Sequence, residues 1–109
     1  MTARSLLIAS LNDAYRRSLI GTTGQTVMTR AVANLPADTV ARILEAVRTF
    51  SAFTKDNDPY HEHDFGQVVV DGDRFFFKFD YYDSAAMEFG AEDPAVCYRV
   101  LTIMRAEDY

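Results

Sequence analysis

The sequence predicts a small α+β domain, a three-stranded antiparallel sheet covered on one face by three helices. Three observations predict it. Two segments carry apolar residues at spacings of three and four. Asp71-Gly72 separates two runs that alternate apolar and polar residues, the strongest short-range hairpin signal. The chain has 109 residues, is 49% apolar and carries 8 Phe and 6 Tyr. That excludes a disordered chain. At this length roughly two-thirds of the unfolded surface can be buried without disulfides. One domain over residues 1–109 is expected, with residues 1–20 as its N-terminal helical part.

Leu7, Leu11, Ala14, Tyr15 and Leu19 mark a first helix over 4–20, stopped by Gly21-Thr22-Thr23-Gly24. Residues 25–32 are rich in β-branched residues and predict a strand. Leu35-Pro36 opens a second helix, because a first-turn proline loses no hydrogen bond. Its stripe is Val40, Ile43, Leu44, Val47 and Phe50, and it ends near Phe53. Lys55 to Asp64 is a polar loop. Phe65 to Val70 and Asp73 to Tyr82 form the hairpin.

A two-residue turn at Asp71-Gly72 makes each cross-strand pair sum to 143. One face then carries Val68, Val70, Phe75, Phe77, Phe79 and Tyr81, the expected core face. The other carries His61, His63, Phe65, Gln67, Val69, Arg74, Phe76, Lys78, Asp80 and Tyr82. Extending the register places His63 opposite Asp80 and His61 opposite Tyr82. Residues 83–92 are a loop. Asp93-Pro94 then opens a last helix with Asp93 as its N-cap. Its buried stripe is Val96, Cys97, Val100, Leu101, Ile103 and Met104.

Charge divides the chain. Residues 1–54 carry +3 and residues 55–109 carry −8, within a net charge of −5. A polyanion is repelled by that balance, so direct nucleic-acid binding is not expected. The basic Arg16 and Arg17 on the first helix are the weak opening left to a DNA-binding regulator. No segment is apolar enough to span a membrane. A cytoplasmic protein is expected. Cys97 is the single cysteine, which excludes an internal disulfide and a cysteine-based zinc cluster.

Several strings resemble one family. They are Val27-Met28-Thr29-Arg30, Leu35-Pro36, Asp56-Asn57-Asp58-Pro59 followed by Glu62-His63-Asp64-Phe65-Gly66, Phe79-Asp80-Tyr81-Tyr82-Asp83 and Glu92-Asp93-Pro94. With Val100 to Met104 they resemble the bacterial domain-of-unknown-function family 3768, over roughly residues 20–109 of the chain. The resemblance implies a bacterial cytosolic protein of the kind found on plasmids and other mobile elements. It carries over no functional residue. The family pattern favours Gly at position 61, where this chain has His61.

Candidate chemistry concentrates in the acidic loop and on the second sheet face. Asp56, Asp58, Glu62, His63 and Asp64 lie close together, but an EF-hand reading fails, with Tyr60, His61 and Gln67 at the decisive positions. His61, His63 and Asp80 are the weak metal candidates, able on the expected register to hold Zn or Mn. No Gly-x-Ser-x-Gly, phosphate loop or dinucleotide turn is present. Cys97 reads as an inert core thiol. Phe65, Phe76 and Tyr82 alternate with Arg74, Lys78 and Asp80, an aromatic-and-charged pattern of the kind that meets partners.

The expected function is that of a small acidic, non-enzymatic interaction protein with no cofactor. One form would be an inhibitor of a host or mobile-element protein. In a sharper version its carboxylates mimic DNA toward a nucleic-acid-binding protein. The candidate binding residues are Asp56, Asp58, Glu62, His63, Asp64, Phe76, Asp80 and Tyr82. The alternative is a metal-dependent hydrolase or nuclease at His61, His63 and Asp80, with Glu62 or Asp64 as base.

Overall fold

The computed structural model describes residues 2–109. Met1, the first residue of the expected domain and of its 1–20 segment, lies outside the described residues. The elements are α1 (Ala3–Ser18), β1 (Gly24–Met28), α2 (Arg30–Ala33), α3 (Ala37–Thr49), β2 (Phe65–Val70), β3 (Asp73–Tyr82) and β4 (Tyr98–Arg105). A single 3-10 turn, Ala106–Asp108, follows. No helix among the described residues is long and apolar enough to cross a membrane.

The fold is α+β, with three helices and a four-stranded mixed sheet in the order β1-β4-β3-β2. The expected three-stranded antiparallel sheet is therefore corrected. β1 runs parallel to β4, while β4, β3 and β2 alternate. β1 and β2 lie at opposite edges, and α2 and α3 connect them across one face of the sheet.

The expected last helix is instead β4. Its apolar positions recur at helical spacing only because a central strand is buried on both faces. Leu101 and Ile103 point into the main core, while Val100 and Met104 are buried on the opposite face. A short apolar run of this kind does not reveal its period. Asp93 still accepts from the Ala95 N–H at 2.9 Å, but it caps a turn closed by Val96 N–H to the Asp93 carbonyl at 3.0 Å. Cys97 consequently lies in the bend just before β4 rather than on a helix stripe, and it is half-buried.

The expected strand over 25–32 ends at Met28, and the short α2 turns Val32 fully into the core. The hairpin follows the expected register, from Phe65 opposite Lys78 to Val70 opposite Asp73. Asp71 (φ 54°) and Gly72 (φ 81°) both adopt the left-handed conformation, as a type I′ turn requires. Val68, Val70, Phe75, Phe77 and Phe79 are buried with Leu101 and Ile103 against Tyr15, Val32, Ile43 and Val47. One face of the sheet is thus covered by α1, α2 and α3.

The stripe expected on α1 is also corrected. Leu7 is 50% exposed and Ala14 is exposed. The buried side is Ser5, Ile8, Ala9, Asn12, Tyr15 and Arg16. This helix turns polar side chains inward, and they organise the neighbouring loop.

Candidate functional site

The chain leaves α3 through Phe50 and Phe53, which pack edge-on at 4.8 Å. Asn57 then holds a tight turn, accepting from the Thr54 N–H at 2.8 Å and donating to the Ala52 carbonyl at 3.0 Å. Asp58 is 2% exposed. One of its carboxylate oxygens accepts both the Glu62 and His63 N–H groups at 3.1 Å. This is an anchored turn in which one carboxylate satisfies two backbone donors.

His61 (φ 57°) and His63 (φ 53°) both lie in the left-handed region. Glycine adopts this conformation without the cost that a side chain brings. The conformation also ends the expected strand geometry upstream of Asp64, so the predicted pairing of His63 with Asp80 and of His61 with Tyr82 does not form. The His63 ring instead stacks on Phe53, with centroids 3.9 Å apart. Its Nδ1 lies 2.9 Å from Asp13 of α1, and its Nε2 lies 3.6 Å from Asp58. Both ring nitrogens face carboxylates of the same chain.

Asp80 pairs with Lys78 at 3.0 Å on the opposite side of the sheet. Among the described residues no group of three His, Cys, Asp or Glu side chains is placed to hold a metal ion. His61, His63 and Asp80 are accordingly not brought together.

The polar side of α1 completes the network. Arg16 is 2% exposed and donates to Asp13 at 2.9 Å and to the Val47 and Phe50 carbonyls at 2.7 and 2.8 Å. Asn12, fully buried, donates to the Glu62 carbonyl and to the Tyr81 hydroxyl, and accepts from Arg99. Arg99 also donates to the Pro94 carbonyl at 2.9 Å. Three residues of one helix thereby hold the acidic loop, the end of α3 and the far end of β3 and β4. The sequence reading missed Asn12, Asp13, Arg16 and Arg99 in these roles. The available signal was polar residues one and four apart beside Tyr15, on a helix whose Leu6 and Leu7 are exposed.

Electrostatics separates the loop carboxylates. Asp56 is exposed and Asp58 is turned inward. Partial burial, followed by the neighbouring Asp64 and Asp58 charges, raises the Glu62 carboxyl above its ordinary value. Burial raises Asp64 as well, with Asp58 and Asp80 adding to the effect. A folded-state value above the unfolded one means that the folded chain holds this proton more tightly. Stability from Asp64 is therefore greatest at acid pH, and it falls as pH rises from the ordinary carboxylate range through the raised value. Asp64→Asn is expected to melt higher than the parent at neutral pH. The gap should narrow as pH falls into the ordinary carboxylate range, and thermal melts across pH check it. Burial likewise pushes the Cys97 thiol upward, away from a reactive thiolate. It also keeps the Tyr81 phenol protonated well beyond its ordinary range.

The face opposite the helices is built differently. Phe65 and Phe76 are half-buried and 4.9 Å apart, and Tyr109 packs edge-on against both at 5.5 Å. Tyr82 stands opposite Tyr98, and Lys78 opposite Thr102. Val100 and Met104 lie at the centre, 6% and 5% exposed. A groove of about 480 Å³ runs beside Phe65, Gln67 and Phe76, with Asp56 on its far wall. At the end of β3 the exposed Phe89 and Val96 border a second groove with Asp83, Glu92 and Asp93. Sequence reading placed Phe76, Asp80 and Tyr82 on this face, and the structure does so too.

The model of a family described as Protein of unknown function (DUF3768) matches residues 28–108. The chain belongs to that family. The DUF3768 match takes in α2, α3, the acidic loop and strands β2 to β4. It leaves out α1, so Asn12, Asp13 and Arg16, which hold the loop in place, lie outside the matched part. Neither a curated protein nor a solved structure matches the chain.

Proposed function

We propose that this protein is a small acidic, non-enzymatic interaction protein that docks a protein partner on the open face of its sheet. An inhibitor of a host or mobile-element protein is the form such docking would take in a bacterial cytoplasm. One observation carries the reading. All the helices cover one face, and the other presents the half-buried Phe65, Phe76, Tyr82 and Tyr98 with Lys78 and Asp80 beside them. Aromatic groups within a polar rim are the composition of interface centres. The acidic loop adds Asp56 at the margin, beside Phe65 and Phe76, which favours a partner with a basic rim.

Two of the groups considered for catalysis serve the architecture of the loop. His63 is clamped between Asp13 and Asp58, and Asp58 is spent on backbone donors. The test uses the double variant Phe76→Ser and Tyr82→Ser, whose side chains lie on the face away from the main core. Its affinity for a partner retained by the parent is expected to fall at least about 10-fold, with the circular dichroism spectrum unchanged. Equal affinity for both proteins would remove the open face from the binding site.

A further inference from the structure

The free edge of β2 is a self-complementary strand, and the geometry points to a second copy of this chain as its occupant.

The backbone sets which groups are free. Phe79 N–H donates to the Asp64 carbonyl at 2.9 Å, which makes Asp64 and Phe79 a hydrogen-bonded pair. Hydrogen-bonded and non-bonded pairs alternate along an antiparallel ladder. Gly66, Val68 and Val70 therefore direct their N–H and C=O groups to β3. Phe65, Gln67 and Val69 direct theirs outward, and among the described residues these groups take no partner from any loop.

The edge also lacks the usual protection. Phe65–Val70 reads Phe-Gly-Gln-Val-Val-Val, with no Lys, Pro or charge, and Val69 is 59% exposed. Natural edges of this kind are generally blunted or paired. Grooves of about 420 and 480 Å³ border it, one along α3 beside Val69 and Val70, the other beside Phe65 and Gln67.

Three outward residues at spacing two admit one full antiparallel register with a second copy. Gln67 meets Gln67 on the two-fold axis, and Phe65 meets Val69 at each end. All six outward backbone groups are then paired. The exposed Val69 of each copy comes beside the Phe65 and Phe76 cluster of the other. Charge agrees with this register. Arg74 lies opposite Val69 within the chain, and Asp56 borders the groove at Phe65. Among the described residues neither forms an ion pair. Antiparallel pairing sends the Arg74 end of one copy to the Asp56 end of the other.

The experiment measures mass in solution for the full chain. Sedimentation equilibrium is expected to give twice the 12.3 kDa of the chain. Val69→Lys, and separately Gln67→Pro, should shift the protein to monomer. Proline at 67 removes only an outward N–H. The register is tested in a Cys97→Ser background. Gln67→Cys should form a covalent dimer on mild oxidation, because its two copies sit roughly 5.5 Å apart. Val69→Cys should not, because its two copies are separated by about four residues of strand, roughly 13 Å. A wild-type monomer up to roughly millimolar concentration overturns the inference. So does a dimer that resists Val69→Lys and fails to cross-link through position 67.

Discussion

Arg16→Ala is expected to cost about 3–5 kcal/mol, the range for removing one partner from a buried charged network. The side chain sits at 2% exposure with its guanidinium over the rings of Phe53 and Phe77, 5.4 Å from each centroid. It caps the carbonyl end of α3 through Val47 and Phe50, where a cation also meets the negative end of the helix dipole. Truncation strands those carbonyls, leaves Asp13 with His63 alone and opens a cavity beside Phe77. Its own Nε lacks a hydrogen-bond partner, so the native arrangement is already imperfect, which sets the expectation at the lower end. Against a typical total of about 5–15 kcal/mol the loss is large. Urea unfolding checks it, and a change under about 1 kcal/mol would show that the network contributes little.

Phe77→Ala should cost a similar amount, about 3–5 kcal/mol. Phe77 is fully buried at the centre of β3 and meets Phe50 edge-on at 5.3 Å. Its ring also occupies the space left by Gly66, where any Cβ would strike the ring and approach Phe50. The two positions are therefore coupled. Gly66→Ala is expected to destabilise the parent by about 1–3 kcal/mol through overpacking. In the Phe77→Ala background the same change should cost much less, since the obstructing ring is gone. A double-mutant cycle measures this directly, and strictly additive effects would contradict the packing described.

The parts legible in the sequence are those governed by local rules. Asp71-Gly72 has one favoured turn, and that turn sets the parity of every pair from Phe65–Lys78 to Val70–Asp73. Position 37 onward shows a clean amphipathic stripe, and Ile43 and Val47 bury as it requires. The errors occur where tertiary context decides. β4 is buried on both faces, so its Val100, Leu101, Ile103 and Met104 carry no alternation to read. On α1 Leu6 and Leu7 face outward, while Asn12 and Arg16 are buried with partners 31 to 87 residues away. The candidate site divides in the same way. Phe76, Asp80 and Tyr82 were placed by the hairpin, whereas His63 left the strand through a left-handed backbone that the sequence does not announce.

The central claim is that the open sheet face, and not the His63 cluster, is where this protein acts. The direct measurement is quantitative mass spectrometry of what the tagged parent, the Phe76→Ser/Tyr82→Ser variant and a His63→Asn variant each retain from nuclease-treated lysate of their own host. The account predicts a near-stoichiometric protein retained by the parent and by His63→Asn, and lost by the face variant. Loss through His63→Asn with retention by the face variant, or no partner for the parent at all, would contradict it.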